Sequence, residues 1–388
     1  RSTPSNSSAA SDVYKRQMKI LILSCDTGEG HNSAGRAVKE AAELKGHTVE
    51  MMDMFLLSGK RTSHAVAGAY VGIVKHIPFF FGFIYKAGML ISSFRRKSPV
   101  YFANALLGKK LASYIDGHDF DIVVTPHLYP AETMTYMKKK KLLHIPAVAV
   151  GTDYTCIPFW EETDLDYYVI PHEDLIPEYV NRGVPKEKLL PYGIPVRQDF
   201  CKNLSKETAR EKLHLPMDVP MFLVMSGSMG FGKLAVFAAE LALRCRNGEH
   251  IVIICGNNAK IERILRKEFH FNKRVHIIGY TNHVSLFMDA CDVIYTKPGG
   301  LTSTESLVKN IPIVHTAPIP GCETANLQFF AARHLSVSSK HLAKQVQLGK
   351  ALIENDSLRE QMSEAQRRER KPEAAMQIVS LLERLVSH

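Results

Sequence analysis

Three stretches of this chain have the residue types and spacing that chemistry needs. The first runs YTKPGGLTSTESLVKNIPIVHTAPIPGCETAN, from Tyr295 to Asn326. It leaves an apolar strand over 292–295, turns through Pro298, Gly299 and Gly300, and enters a helix near 302–309. Such a turn presents free backbone N–H groups and the positive end of a helix, which together suit a diphosphate. Glu305 falls one helical turn further in, placed to accept hydrogen bonds from a sugar diol. A second strand, 311–316, leads to a Pro- and Gly-rich loop that carries Glu323 and Asn326. A strand, turn and helix with a Gly cap is also ordinary architecture. The two polar side chains on the next loop tip the reading towards a nucleotide-sugar site.

The second stretch is SCDTGEGHNSAG, where Gly28 and Gly30 lie between a strand and a helix and Asp53 ends the next strand. It imitates a dinucleotide fingerprint, but Ser33 stands where the third Gly belongs. His31 is more telling. A fingerprint has no need of an imidazole at the helix start, whereas proton transfer does, and a pKa of about 6.5 suits a base near neutral pH. Asp153, in GTDYT, is the competing base or the partner that orients His31. The plainer alternative is a His that caps the helix or simply touches an acceptor.

The third stretch, residues 66–94, is strongly apolar and aromatic, with Pro78, Phe79, Phe80 and Phe81 at its centre. Lys75, His76, Pro78 and Lys86 interrupt it, so a transmembrane helix is not expected. Arg95, Arg96 and Lys97 follow, and Lys138 to Lys141 form a basic run later. Apolar residues beside cations suit a surface that dips into an anionic bilayer. A helical hairpin in the core with solvated lysines is the alternative. No nucleic-acid motif accompanies the charge, so nucleic acid is not an expected partner.

The elements that position these residues alternate strand and helix. KILILSC, TVEMMDM, FDIVVTPH and AVAVGTDY read as strands of a first half, with a helix over 30–45. After Ile194-Pro195 the pattern restarts with MFLVMSGS, IVIICGNN, RVHIIGYT, DVIYTK and IPIVHT. Two doubly wound α/β halves joined near 193–201, with substrates in the cleft between them, is the economical architecture. The expected divisions are 18–195, 196–370, and a helix over 372–386 that could pack on either half. Residues 1–17, polar and rich in Ser, read as a tag-like leader outside the fold, with no signal-peptide h-region.

The chain has 388 residues, a formal net charge of +10 and 45% hydrophobic residues, enough for two full cores and an anionic partner. Its seven Cys are scattered without metal-ligand spacing, which suits reduced thiols in a cytoplasm. No metal site is expected.

Taken in order, TGEGHNSAG, TPHLYPAET, GTDYTCIPFW, SGSMGFGK and KPGGLTSTES…PGCETAN resemble the monogalactosyldiacylglycerol synthase and processive diacylglycerol glucosyltransferase family. The resemblance spans nearly all of residues 18–388. The second half is also similar to the peptidoglycan N-acetylglucosamine transferase that makes lipid II, whose first glycine-rich loop differs from TGEGHNSAG. The resemblance implies a GT-B fold of two Rossmann-like domains. It also implies inverting transfer from UDP-glucose or UDP-galactose to diacylglycerol without a catalytic metal or cofactor. By that likeness Gly227 and Ser228, with Gly299, Gly300, Leu301 and Thr302, hold the diphosphate, helped by Lys297. Tyr280 lies near the uracil, Glu305 meets the ribose, and Glu323 with Asn326 meets the transferred sugar. Gly28, Gly30, His127 and Trp160 fall on the acceptor side with the apolar segment, and the protein is placed peripherally on the inner face of the cell membrane. Cys322 or Glu323 stands where such families often show Gln, which leaves the sugar open. A nucleotide- or lipid-binding protein with a dead site is the alternative.

Overall fold

The computed structural model describes residues 17–25, 28–59, 97–225 and 234–387. Its frame is two six-stranded parallel sheets. The first contains β1 (Lys19–Ser24), β2 (Thr48–Asp53), β3 (Ile122–Thr125), β4 (Ala147–Val150), β5 (Tyr167–Val169) and β6 (Leu189–Leu190). The second contains β7 (Met221–Met225), β8 (His250–Ile254), β9 (Val275–Ile278), β10 (Val293–Thr296), β11 (Ile313–His315) and β12 (Val337–Ser338). Central strands such as KILILS and MFLVM are nearly continuous apolar runs because helices cover both faces of a parallel sheet. The nine strands expected from sequence are present. β5, β6 and β12 are additional, two or three residues long and too short to show a period.

The strand orders are β2-β1-β3-β4-β5-β6 and β12-β11-β10-β7-β8-β9. Each reverses direction at one point, between β1 and β3 in the first sheet and between β7 and β10 in the second. Ligands in open parallel sheets bind outside the carboxyl ends of the strands at such points. His31 and His127 follow β1 and β3, and Lys297 follows β10.

Five helices bear on the site: α1 (Glu29–Leu44), α2 (Leu128–Lys139), α3 (Gly300–Lys309), α4 (Cys322–Ala332) and α5 (Ala374–Val386). In α1, Ala34, Ala37, Val38, Ala41 and Ala42 make an apolar stripe of helical period against the first sheet. α3 is buried almost all round, and it ends at Asn310 in the left-handed conformation that stops a helix. α5 packs back on the first half: Ala375, Ile378, Val379 and Leu382 share a core with Ile20, Ile22 and Val38. Lys45 meets Glu383 at 3.0 Å beside it. The largest apolar core runs through both halves, and Tyr154 enters it with its ring 4.6 Å from Phe329 and 5.0 Å from Phe330.

Candidate functional site

A cleft of about 310 Å³ lies between the halves where the two switch points meet. Gly28, Gly30, His31 and Asp153 line it from the first half. Tyr280, Lys297, Gly299, Gly300, Leu301, Thr302, Glu305 and Glu323 line it from the second. Residues more than 250 positions apart in the sequence thus form one wall.

His31 is the third residue of α1. Its Nδ1 lies 2.9 Å from the carbonyl oxygen of Pro126 and 2.9 Å from Oγ1 of Thr152. A carbonyl oxygen can only accept, so Nδ1 carries the proton and Nε2 keeps its lone pair. Burial pulls the imidazole below its ordinary pKa, Asp153 and the Pro126 carbonyl pull it back up, and the ring is neutral at pH 7. The positive end of α1 acts in the same direction as burial. His127 stands edge-on to His31 with ring centroids 4.6 Å apart. Its Nδ1 accepts from the backbone N–H of Tyr129 at 3.2 Å, capping α2, which leaves its proton on Nε2. Burial and the neighbouring His31 hold His127 well below the usual imidazole range.

The hydrogen bonds that orient His31 therefore come from Pro126 and Thr152. Asp153 acts on it through charge, while its carboxyl accepts from Nδ2 of Asn326 at 2.8 Å.

On the second half, Glu305 is buried in α3 and lines the cleft, and no described residue donates a hydrogen bond to it. Burial raises its carboxyl to about 8, against the opposing pull of Arg197 and Arg36. Those two arginines reach the cleft from the first half and the crossover, where Arg36 pairs with Glu29 and Arg197 with Glu40. Nothing in their spacing marks them in the sequence. Lys297 forms an ion pair with Glu323, whose other oxygen accepts from the Ile319 N–H at 2.8 Å. Tyr280 is exposed, with its hydroxyl donating to Asn282 at 3.0 Å.

Gly300 and Gly30 mark close approach between the halves. A Cβ on Gly300 would lie 1.9 Å from the Thr152 carbonyl oxygen, whereas one on Gly30 would meet Leu301 at an ordinary 3.9 Å. Gly28 has open space where a side chain would go.

Two expected site residues sit elsewhere. Trp160 is buried in the first core, edge-on to Tyr168, because the loop that carries it folds inward over β5. Asn326 has no exposed surface, and both its amide hydrogens are committed, to Asp153 and to the Pro298 carbonyl at 3.0 Å. Gly227, Ser228, Pro78, Phe79, Phe80, Phe81, Arg95 and Arg96 lie outside the described residues.

Residues 31–196 match the family model of monogalactosyldiacylglycerol (MGDG) synthase. A processive diacylglycerol β-glucosyltransferase of Staphylococcus carnosus is 27% identical over 357 residues, 91% of this chain and 89% of that protein. A probable monogalactosyldiacylglycerol synthase 2, chloroplastic, of Oryza sativa subsp. indica is 28% identical over 336 residues, 83% of this chain and 70% of that protein. Among solved structures, MurG of Acinetobacter baumannii superimposes with a TM-score of 0.60 at 16% identity, covering 95% of this chain and 99% of that one. The MnaA–UDP co-structure of S. aureus gives 0.61 at 14%, covering 96% and 97%. The fold is GT-B, two Rossmann-like units around a cleft, as the sequence motifs implied.

Proposed function

We propose that the protein is an inverting glycosyltransferase that moves a hexose from a UDP-sugar to diacylglycerol or a glycosyl-diacylglycerol. The relatives named for diacylglycerol glucosyl transfer and MGDG synthesis support the acceptor and the reaction type. The MnaA–UDP co-structure shows UDP held by the same fold. The observation that carries the reading is the pairing, across one cleft, of a neutral His31 whose Nε2 has no hydrogen-bond partner among the described residues with a buried Glu305 that likewise has none among them.

Glu305 accepts the ribose hydroxyls, and the first-turn N–H groups at Gly299–Thr302 take the diphosphate. Lys297, Arg36 and Arg197 supply cationic charge. Nε2 of His31 takes the proton of the acceptor hydroxyl as its oxygen bonds to the anomeric carbon and the bond to UDP breaks on the opposite face. Imidazolium formed in that step faces Asp153. Because side chains and a helix end meet the diphosphate charge in this scheme, turnover persists in EDTA.

In this reading the apolar segment 66–94 and its flanking cations attach the protein peripherally to the inner face of the membrane. No helix among the described residues is long and apolar enough to cross a bilayer. Mass spectrometry of lipids after incubation with UDP-glucose or UDP-galactose and diacylglycerol tests the reading. A hexosyl-diacylglycerol supports it, and sugar transferred only to an undecaprenyl-linked acceptor, or UDP bound without release of sugar, overturns it.

A further inference from the structure

One loop of the first half, Thr152–Tyr154, touches the base and both helices of the donor half at once. The Thr152 hydroxyl is 2.9 Å from Nδ1 of His31, and its carbonyl packs directly on Gly300 of α3. Asp153 accepts from Nδ2 of Asn326 in α4 at 2.8 Å, and its charge adds to burial in raising the Cys322 thiol at the start of α4. The Tyr154 N–H donates to Oδ1 of Asn326 at 2.7 Å, and its hydroxyl lies 2.9 Å from Oγ1 of Thr304 in α3. Asn326 spends its second amide hydrogen on the Pro298 carbonyl, at the turn that enters α3. A fully buried amide bonded three ways is expensive to place and specifies one geometry. An apolar residue of the same size would fill the volume without fixing the carboxyl beside it.

We infer that Asn326 is a positioning residue for the base: reaching over from the second half, it fixes the Asp153 carboxyl in the place from which its charge acts on His31. The inference rests on His31 being the base proposed above. Of the other ionisable groups around His31, His127 is the neutral ring at its edge, and Glu29 and Arg36 on its own helix pair with each other. Lys297, Glu323 and Glu305 line the cleft opposite, Lys297 being paired with Glu323. Among the described residues Asp153 is the carboxylate whose charge acts on the ring. A negative charge there favours the imidazolium that forms as the acceptor loses its proton. The strap lies wholly on protein groups, which distinguishes it from a contact with the transferred sugar.

The test uses the full chain carrying Asn326→Ala, the volume-matched Asn326→Leu, Asp153→Asn and the double variant Asn326→Leu/Asp153→Asn. The His31 titration is followed by NMR, its signal identified by its loss in His31→Gln, together with the acid limb of kcat against pH. In the Asn326 variants and in Asp153→Asn the His31 titration and the acid limb move to lower pH, and plateau kcat falls about tenfold. UDP affinity stays within about twofold, and the double variant is no worse than the worse single one. A raised KM for the donor with an unmoved His31 titration makes Asn326 a sugar contact and overturns the inference. So does a titration moved by Asp153→Asn but not by the Asn326 variants. If neither Asn326 variant folds, Asp153→Asn carries the test alone, and an unmoved titration there overturns it. A wild type that makes no glycolipid overturns the enzyme reading instead, and the NMR titration still decides this one.

Discussion

The carbonyl oxygen of Thr152 occupies the place where a side chain on Gly300 would begin: a Cβ there would sit 1.9 Å away. The first turn of α3, which offers its N–H groups to the cleft, is thus seated directly on the loop that carries Asp153. Only glycine permits this approach.

Gly300→Ala separates that contact from helix propensity. Alanine is the better helix former by about 1 kcal/mol, so a permissive site would gain stability. Overpacking against backbone costs about 1–3 kcal/mol, and the net result is a lower Tm together with lost turnover. Gly28→Ala, with open space and an extended backbone, leaves Tm within error. Thermal unfolding of the two variants side by side checks this; a stabilised Gly300→Ala would show that the halves do not meet there.

Glu305 combines its proposed binding role with a stability cost, and the sign follows from its raised pKa. Its folded value of about 8 exceeds the ordinary 4.5. Between those two values the unfolded chain loses this proton and the folded one keeps it, so stability falls as pH rises through the window. Glu305→Gln removes that penalty and raises Tm at pH 7.5 but not at pH 4.5. The same change weakens UDP binding by roughly 0.5–1.5 kcal/mol for each hydrogen bond lost, because the folded carboxyl is protonated at neutral pH. Calorimetric titration with UDP and thermal melts at the two pH values test both halves of this statement. Unchanged UDP affinity removes Glu305 from the ribose.

Much of this was legible from residue order. The long strands announce themselves because burial on both faces leaves an unbroken apolar run, and the glycine turns because they stand at strand ends. β5, β6 and β12 have too few residues for any period to emerge. The orientation of His31 was not legible: its partner Thr152 is 121 positions away, and only folding decides which nitrogen keeps the proton. Trp160 is placed on the acceptor side by the family likeness, yet its loop turns inward and buries it in the first core. Asn326 is placed at the transferred sugar by the family likeness, on the same helix face as Glu323, but its amide is spent on Asp153 and the Pro298 carbonyl, which lie far from it in the sequence.

The proposed membrane attachment through residues 66–97 and the run Lys138 to Lys141 is electrostatic as well as apolar. Lys138 already pairs with Asp166 at 2.6 Å, so Lys139, Lys140 and Lys141 are the better candidates of the run. Each cation near an anionic surface adds about 1 kcal/mol, weakened by salt. Replacing these three by Gln reduces sedimentation with anionic liposomes and leaves the weak binding to neutral ones unchanged. Equal binding of the variant and the unaltered protein to anionic vesicles would remove the lysines from the surface.

The central claim is that His31 removes the acceptor proton while the second half holds UDP. Turnover of His31→Ala at saturating UDP-sugar and diacylglycerol, beside calorimetric UDP binding, tests it most directly. General base catalysis is worth about 10²–10⁴-fold, so kcat falls by that factor while UDP affinity stays at the unaltered level. A His31→Ala protein that keeps most of its turnover, with Asp153→Asn losing it, would contradict the account and make Asp153 the base.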